Sequence, residues 1–96
     1  MTKILVIDDE PQIQKFLRIS LTSQQMEVVS AENGHQGLNA ATEHMPDLIV
    51  LDLGLPDMDG KHVLQHLVAE TRIPVLVLSV RASEAEKVAC LEMGAY

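Results

Sequence analysis

Two short apolar runs, each followed at once by aspartate, constrain this chain more than any other feature of its sequence. Ile4–Ile7 leads into Asp8 and Asp9, and Leu48–Leu51 leads into Asp52. Continuous apolar runs of this length, rich in β-branched residues, are typical of strands buried on both faces of a parallel sheet. Ligand sites in such sheets form outside the carboxyl ends of the strands. The three aspartates are therefore predicted to converge on one acidic pocket.

A cluster of carboxylates is electrostatically unfavourable unless a positive charge lies among them, because like charges repel at short range. Carboxylate oxygens are the ligands that hard divalent cations prefer, and Mg²⁺ suits a small site that keeps some of its waters. The sequence therefore predicts a magnesium site built on Asp8, Asp9 and Asp52.

Length and composition limit the remaining choices. The 96 residues suffice for one small domain, predicted to cover residues 1–96, and the net charge of −7 argues against a general nucleic-acid surface. Cys90 is the single cysteine and has no internal disulfide partner. No apolar stretch approaches the roughly 20 residues of a membrane span, and the N-terminus lacks a signal-peptide pattern. We therefore expect a cytoplasmic protein without membrane contact.

The apolar pattern along the chain alternates between strand-like and helix-like segments. Helices are predicted to begin at Pro11, to cover Gly37–Glu43, to lie around Val63–Leu67 and to cover Ser83–Met93, and Gly94 is the expected C-cap of the last one. In the first helix, one buried stripe is predicted from helical spacing, formed by Ile13, Phe16, Leu17 and Leu21. Strands are predicted at Ile4–Ile7, Met26–Val29, Leu48–Leu51 and Pro74–Leu78. The order β-α-β-α-β-α-β-α predicts an α/β fold, a doubly wound parallel sheet with helices on both faces.

Four segments together resemble the receiver domains of two-component response regulators. They are Ile7–Glu10, Asp47–Asp52, Leu55–Gly60 and Ile73–Ser79. Within that family the chain is most similar to the winged-helix transcription-factor group and, through Phe16–Arg18 and Leu51–Asp57, to the potassium-transport (Kdp-type) regulators.

The resemblance implies a flavodoxin-like (CheY-like) sheet with strand order 2-1-3-4, followed by a fifth strand beside the fourth. In the family a fifth βα unit carries a lysine, which here would fall near position 101, beyond Tyr96. We therefore expect a domain that is incomplete at its C-terminus. An open edge on the fourth strand would then favour association between chains.

The resemblance also assigns roles to individual residues. Asp52 matches the aspartate that accepts a phosphoryl group from a sensor histidine kinase. Asp8, Asp9 and Asp52, with the backbone carbonyl of Gly54, match the Mg²⁺ ligands. Ser79 matches the hydroxyl that binds the phosphoryl group and switches the domain.

The family further implies partners and a mode of action. Such domains form homodimers through the face that contains the fourth helix, where Lys87 is placed for an ion pair between the two chains. Promoter DNA would be bound only through a C-terminal domain absent from these 96 residues. The domain is expected to act as a regulatory phospho-acceptor and not as an enzyme.

Two other functions remain open from the sequence. One is a pseudo-receiver, or a fragment unable to be phosphorylated, that acts through protein contacts alone. The other is a Mg²⁺-dependent phosphohydrolase of the haloacid-dehalogenase type, which Gly54 disfavours because that class needs a second aspartate at this position. Asp57 and Asp59 are predicted to be turn and N-cap residues, and Pro56 and Gly60 to shape the loop that presents Gly54.

Overall fold

Four strands alternate with four helices in the computed structural model of the chain, which describes residues 1–78 and 83–96. The strands are β1 (Lys3–Ile7), β2 (Glu27–Ala31), β3 (Leu48–Leu51) and β4 (Val75–Val77). The helices are α1 (Pro11–Thr22), α2 (Gly34–His44), α3 (Gly60–Glu70) and α4 (Glu84–Met93). The predicted order of elements is confirmed.

The strands form one parallel sheet in the order β2-β1-β3-β4. Ile7 is in register with Ala31 of β2 on one side and with Leu51 of β3 on the other, and Leu51 is in register with Val77 of β4. The predicted doubly wound sheet and its strand order are confirmed. Because all strands run the same way, their carboxyl ends lie at one edge of the sheet.

The sheet has apolar side chains on both faces, since successive residues of a strand point to opposite sides. The larger cluster packs against α2, α3 and α4 and includes Leu5, Ile7, Ile49 and Leu51, which are fully buried. The smaller cluster contains Ile4, Val6, Val28 and Val50, and Leu17 and Leu21 of α1 pack against it. Helices therefore cover both faces of the sheet.

Side chains at the helix ends satisfy backbone N–H groups that have no partner within the helix. Asn33 accepts from Gln36 N at the start of α2, and Asp59 accepts from Lys61 N at the start of α3. Ser83 accepts from Glu86 N at the start of α4, and Gly94 ends that helix with φ of 113°. The predicted caps Asp59 and Gly94 are confirmed.

The buried stripe predicted for α1 is wrong for two of its four residues. Ile13 is 36% exposed and Phe16 is 64% exposed, whereas Leu17 and Leu21 are partly buried. Helical spacing identifies which side chains share a face, but burial also needs an element to cover that face. Among the described residues, Leu78 lines the same groove as Phe16 and is itself 49% exposed.

The outer edge of β4 is not entirely open. Tyr96 N donates to Val75 O at 2.8 Å, and Val77 N donates to Tyr96 O at 3.4 Å. The expected bare edge is therefore partly paired by the last residue of the chain.

Gly60, the first residue of α3, lies directly against the backbone of Leu53, which follows Asp52 in the chain. Gly60 N donates to Leu53 O at 3.2 Å. A Cβ atom on Gly60 would lie 2.8 Å from that oxygen and would overlap Leu53 Cα. The contact places the start of α3 beside the loop after β3, and only glycine permits it.

Gly60→Ala is expected to lower the free energy of unfolding by about 1–3 kcal/mol, because backbone atoms must move to admit the methyl group. Gly34→Ala is the matched control, since its Cβ would chiefly meet the flexible side chain of Met58. Urea denaturation of both variants measures the difference. Equal losses would contradict this explanation.

Candidate metal site

The backbone places Asp8 and Asp52 side by side at the carboxyl edge of the sheet. Asp8 N donates to Ala31 O at 3.0 Å, and Asp52 N donates to Ile7 O at 2.9 Å. Each aspartate is thus the residue immediately after its strand and is still held by the neighbouring strand. Both residues are buried, at 7% and 6% exposure.

Three carboxylates meet at this edge. One oxygen from each of Asp8, Asp9 and Asp52 lies within 4.8 Å of the others, and Asp9 is the most exposed of the three. We refer to these three residues as the aspartate cluster. The convergence predicted from the sequence is confirmed, although Asp9 and Asp52 are 43 positions apart in the chain.

Two backbone N–H groups orient the buried carboxylates. Glu10 N donates to Asp8 Oδ1 at 2.9 Å, and Gly54 N donates to Asp52 Oδ1 at 3.2 Å. Gly54 therefore lies next to Asp52, as its predicted role requires, but the contact involves its N–H group. Its carbonyl as a metal ligand stays a prediction. Ser79, the predicted switch hydroxyl, lies outside the described residues.

Burial and neighbouring charge both act on Asp8. Burial raises the pKa of its carboxyl most strongly, the Glu10 N–H group lowers it, and the charges of Asp52, Asp9 and Glu10 raise it further. The net result is a pKa above the ordinary value. An all-oxygen set of crowded carboxylates is the donor set that hard cations prefer, so the residues present fit Mg²⁺.

Two openings flank the aspartate cluster. On one side lies a groove of about 210 Å³. Its acidic lining residues are Asp8, Glu10 and Asp52, and its apolar ones are Ile13, Phe16 and Leu17 of α1 and Leu78 after β4. On the other side lies a cavity of about 300 Å³, lined by Asp8, Asp9, Pro11, Gln14, Ser30 and Glu32. The cluster is therefore accessible from two directions.

Asp57 has a larger structural role than the predicted turn residue. Its Oδ1 accepts from Gly34 N at 2.7 Å, and its Oδ2 accepts from His35 N at 3.0 Å and lies 2.6 Å from His35 Nδ1. The side chain thus connects the loop after β3 to the start of α2. No local sequence pattern predicts this contact, because Asp57 is more than 20 residues from its partners.

These hydrogen bonds change the acidity of Asp57. Desolvation alone would raise the pKa of the carboxyl, but the hydrogen bonds from the Gly34 and His35 N–H groups and the His35 ring outweigh it and lower the pKa to about 2. The ionised form is therefore favoured in the folded state.

Asp57→Asn keeps an acceptor oxygen but removes the charge, so it is expected to destabilise the protein at neutral pH. Because the pKa of Asp57 is lower in the folded state than in the unfolded state, its ionised carboxyl stabilises the fold at pH values above the unfolded pKa of about 4. This stabilisation is lost as the pH falls towards about 2. The difference in urea midpoint between the wild type and Asp57→Asn should therefore shrink as the pH falls from about 5 towards about 2. A difference independent of pH down to about 2 would show that the charge contributes nothing.

Comparison with known proteins identifies the family. Residues 4–96 match the family described as response regulator receiver domain. The chain belongs to this family. Membership confirms the predicted role as a regulatory domain and not an enzyme.

Curated relatives extend the match and confirm the predicted likeness to Kdp-type regulators. The chain is 52% identical to the transcriptional regulatory protein KdpE of Mycobacterium tuberculosis and 45% identical to the KDP operon transcriptional regulatory protein KdpE of Escherichia coli. Each alignment covers 99% of this chain and 42% of the relative. The chain therefore spans less than half the length of these regulators.

Solved receiver domains have the same fold. The BeF3-activated N-terminal receiver domain of Klebsiella pneumoniae RstA superposes with a TM-score of 0.93 at 29% identity, covering 98% of this chain and 80% of that one. The non-phosphorylated HemR receiver domain of Leptospira biflexa gives a TM-score of 0.91 at 29% identity, covering 99% of this chain and 77% of that one.

None of the helices in the described part of the chain has the length and apolar character that a membrane crossing requires.

Proposed function

We propose that this receiver domain accepts a phosphoryl group on Asp52, with Mg²⁺ bound by Asp8, Asp9 and Asp52 and by the Gly54 carbonyl. The observation that carries the proposal is the aspartate cluster, whose oxygens lie within 4.8 Å of one another at the carboxyl ends of β1 and β3. Family membership makes phosphoryl transfer the chemistry to test first.

Asp52 is suited to be the acceptor because its carboxylate is held in one orientation by the Gly54 N–H group. A carboxylate oxygen forms a bond to phosphorus as the bond between phosphorus and the imidazole nitrogen of a phosphohistidine breaks. The imidazole leaves with the electron pair and takes up a proton. A bound Mg²⁺ would supply the positive charge that offsets repulsion between the two anions.

We further propose a sensor histidine kinase as the phosphoryl donor, a cytoplasmic location, and residues 1–96 as the receiver part of a longer transcription factor. Support comes from the regulators named above, of which the chain covers 42%. The output would be promoter binding through a domain outside these residues. Ser79 would bind the phosphoryl group, as the resemblance to the family implies.

The face containing α4 is the proposed dimer surface. Val88 and Leu91 are 51% and 59% exposed on this helix. Lys87 lies on the same helix, 3.7 Å from Glu84. Exposed apolar side chains beside a charged pair are a composition that dimer surfaces use.

Incubation of the whole protein with acetyl phosphate and Mg²⁺ is expected to add the mass of one phosphoryl group. Asp52→Asn should remove this gain, because the neutral amide has no carboxylate oxygen to attack phosphorus. Asp47→Asn is the matched control, since Asp47 precedes β3 and lies at the opposite edge of the sheet, where it accepts from Lys3 N. EDTA should abolish the gain in the wild type and in Asp47→Asn. Asp47→Asn should show the same gain as the wild type in the absence of EDTA, and intact mass spectrometry measures the gain in each of these samples.

Other outcomes separate the competing functions. No mass gain in the wild type would favour a pseudo-receiver that acts through protein contacts alone. Continuous release of phosphate from a phosphate ester would favour the phosphohydrolase. An equal gain in Asp52→Asn would place the modification elsewhere.

A further inference from the structure

Gln14, in the first turns of α1, connects that helix to the ends of two strands. Its Nε2 lies 3.1 Å from Val6 O, 3.0 Å from Asp8 O and 2.9 Å from Ala31 O. The three acceptors are backbone carbonyls of β1, of Asp8 directly after it, and of β2. The NH₂ group has two hydrogens, so at least one of them is shared between two carbonyls.

The surroundings of Gln14 determine how its amide is oriented. Three carbonyl acceptors face one end of the amide, so that end must be the NH₂ donor. Among the described residues, the other end, Oε1, is buried and has no hydrogen-bond partner. Exchanging the two ends would set an oxygen against three oxygens. The observed arrangement leaves Oε1 as a buried acceptor without a hydrogen bond, which is unfavourable. The hydrogen bonds made by Nε2 must offset this unfavourable free energy.

The carbonyls joined by Gln14 belong to the segment that presents the aspartate cluster. The pairing of β1 with β2 ends at Ile7 and Ala31, so Asp8 is the first residue beyond the strand. The Glu10 N–H group fixes the Asp8 carboxylate, and Gln14 fixes the Asp8 carbonyl. Side chain and backbone of Asp8 are thus both held, and Asp9 follows directly.

We propose that Gln14 is a positioning residue for the metal site: it holds the turn between β1 and α1 so that Asp8 and Asp9 face Asp52. This inference rests on the proposed function, because it assumes that the aspartate cluster binds Mg²⁺. Gln14 would not touch the metal. It acts on metal affinity through the backbone of Asp8, as groups around a metal's direct ligands commonly do.

Gln14→Met tests the proposal, because methionine has the same length but no donor. Mg²⁺ affinity of the whole protein, measured by isothermal titration calorimetry, is expected to fall about tenfold. Gln12→Met is the first control, since Gln12 is exposed on the same helix. Arg18→Met is the second, because Arg18 also joins α1 to β2, but its side-chain hydrogen bonds go to Val28 and Ser30 and not to the turn that carries Asp8 and Asp9. Both controls should bind Mg²⁺ within about twofold of the wild type.

A purely structural role would give a different result. Gln14→Met would then lower the urea midpoint measured in EDTA and leave Mg²⁺ affinity unchanged, which would overturn the proposal. A wild type that binds no Mg²⁺ would overturn the proposed function and this inference together. Normal binding in the wild type with unchanged binding in Gln14→Met would overturn only the inference.

The wild type supplies a second test if Gln14→Met does not fold. The side-chain NH₂ resonances of Gln14 are expected to shift during a Mg²⁺ titration, with the same midpoint as the backbone amide of Asp9. Resonances of Gln14 that do not respond while Asp9 does would contradict the proposed coupling.

Discussion

The pairing of β1 with β3 is the contact on which the rest of the structure depends. Ile7 and Leu51 are in register and fully buried, and Asp52 N donates to Ile7 O at 2.9 Å. A slip of one residue would turn the apolar side chains of one strand to the opposite face of the sheet. The same slip would separate Asp52 from Asp8. The apolar core therefore fixes the geometry of the acidic site.

This geometry is electrostatically unfavourable for the protein alone. Burial and neighbouring charge raise the pKa of Asp8. Its ionised form is therefore less favourable in the folded chain than it would be in water. Two side chains outside the cluster secure the segments that carry it. Gln14 holds the turn after β1, and Asp57 connects the loop after β3 to α2. A preformed site of this kind loses little conformational entropy when a cation binds.

The sequence predicted the elements that local pattern determines. Apolar runs located the strands, although β2 extends beyond the predicted Val29 to Ala31, because pairing with β1 continues through the polar Ser30. The aspartate cluster was predictable because it lies at strand ends, where parallel topology brings residues together. The exposure of Phe16 was not predictable, since periodicity does not show what covers a helix face. The contacts of Gln14 and Asp57 also gave no sequence signal, because long-range backbone partners exist only after folding.

The most direct test of the central claim is a titration of the ¹⁵N-labelled protein with Mn²⁺, a paramagnetic ion that also binds oxygen ligands. If the aspartate cluster is a divalent-cation site, the amide signals of Asp8, Asp9 and Asp52 should broaden first, with those of Glu10 and Gly54, and excess Mg²⁺ should restore them. Uniform broadening over the acidic surface, or earlier broadening at another group of residues, would contradict the account.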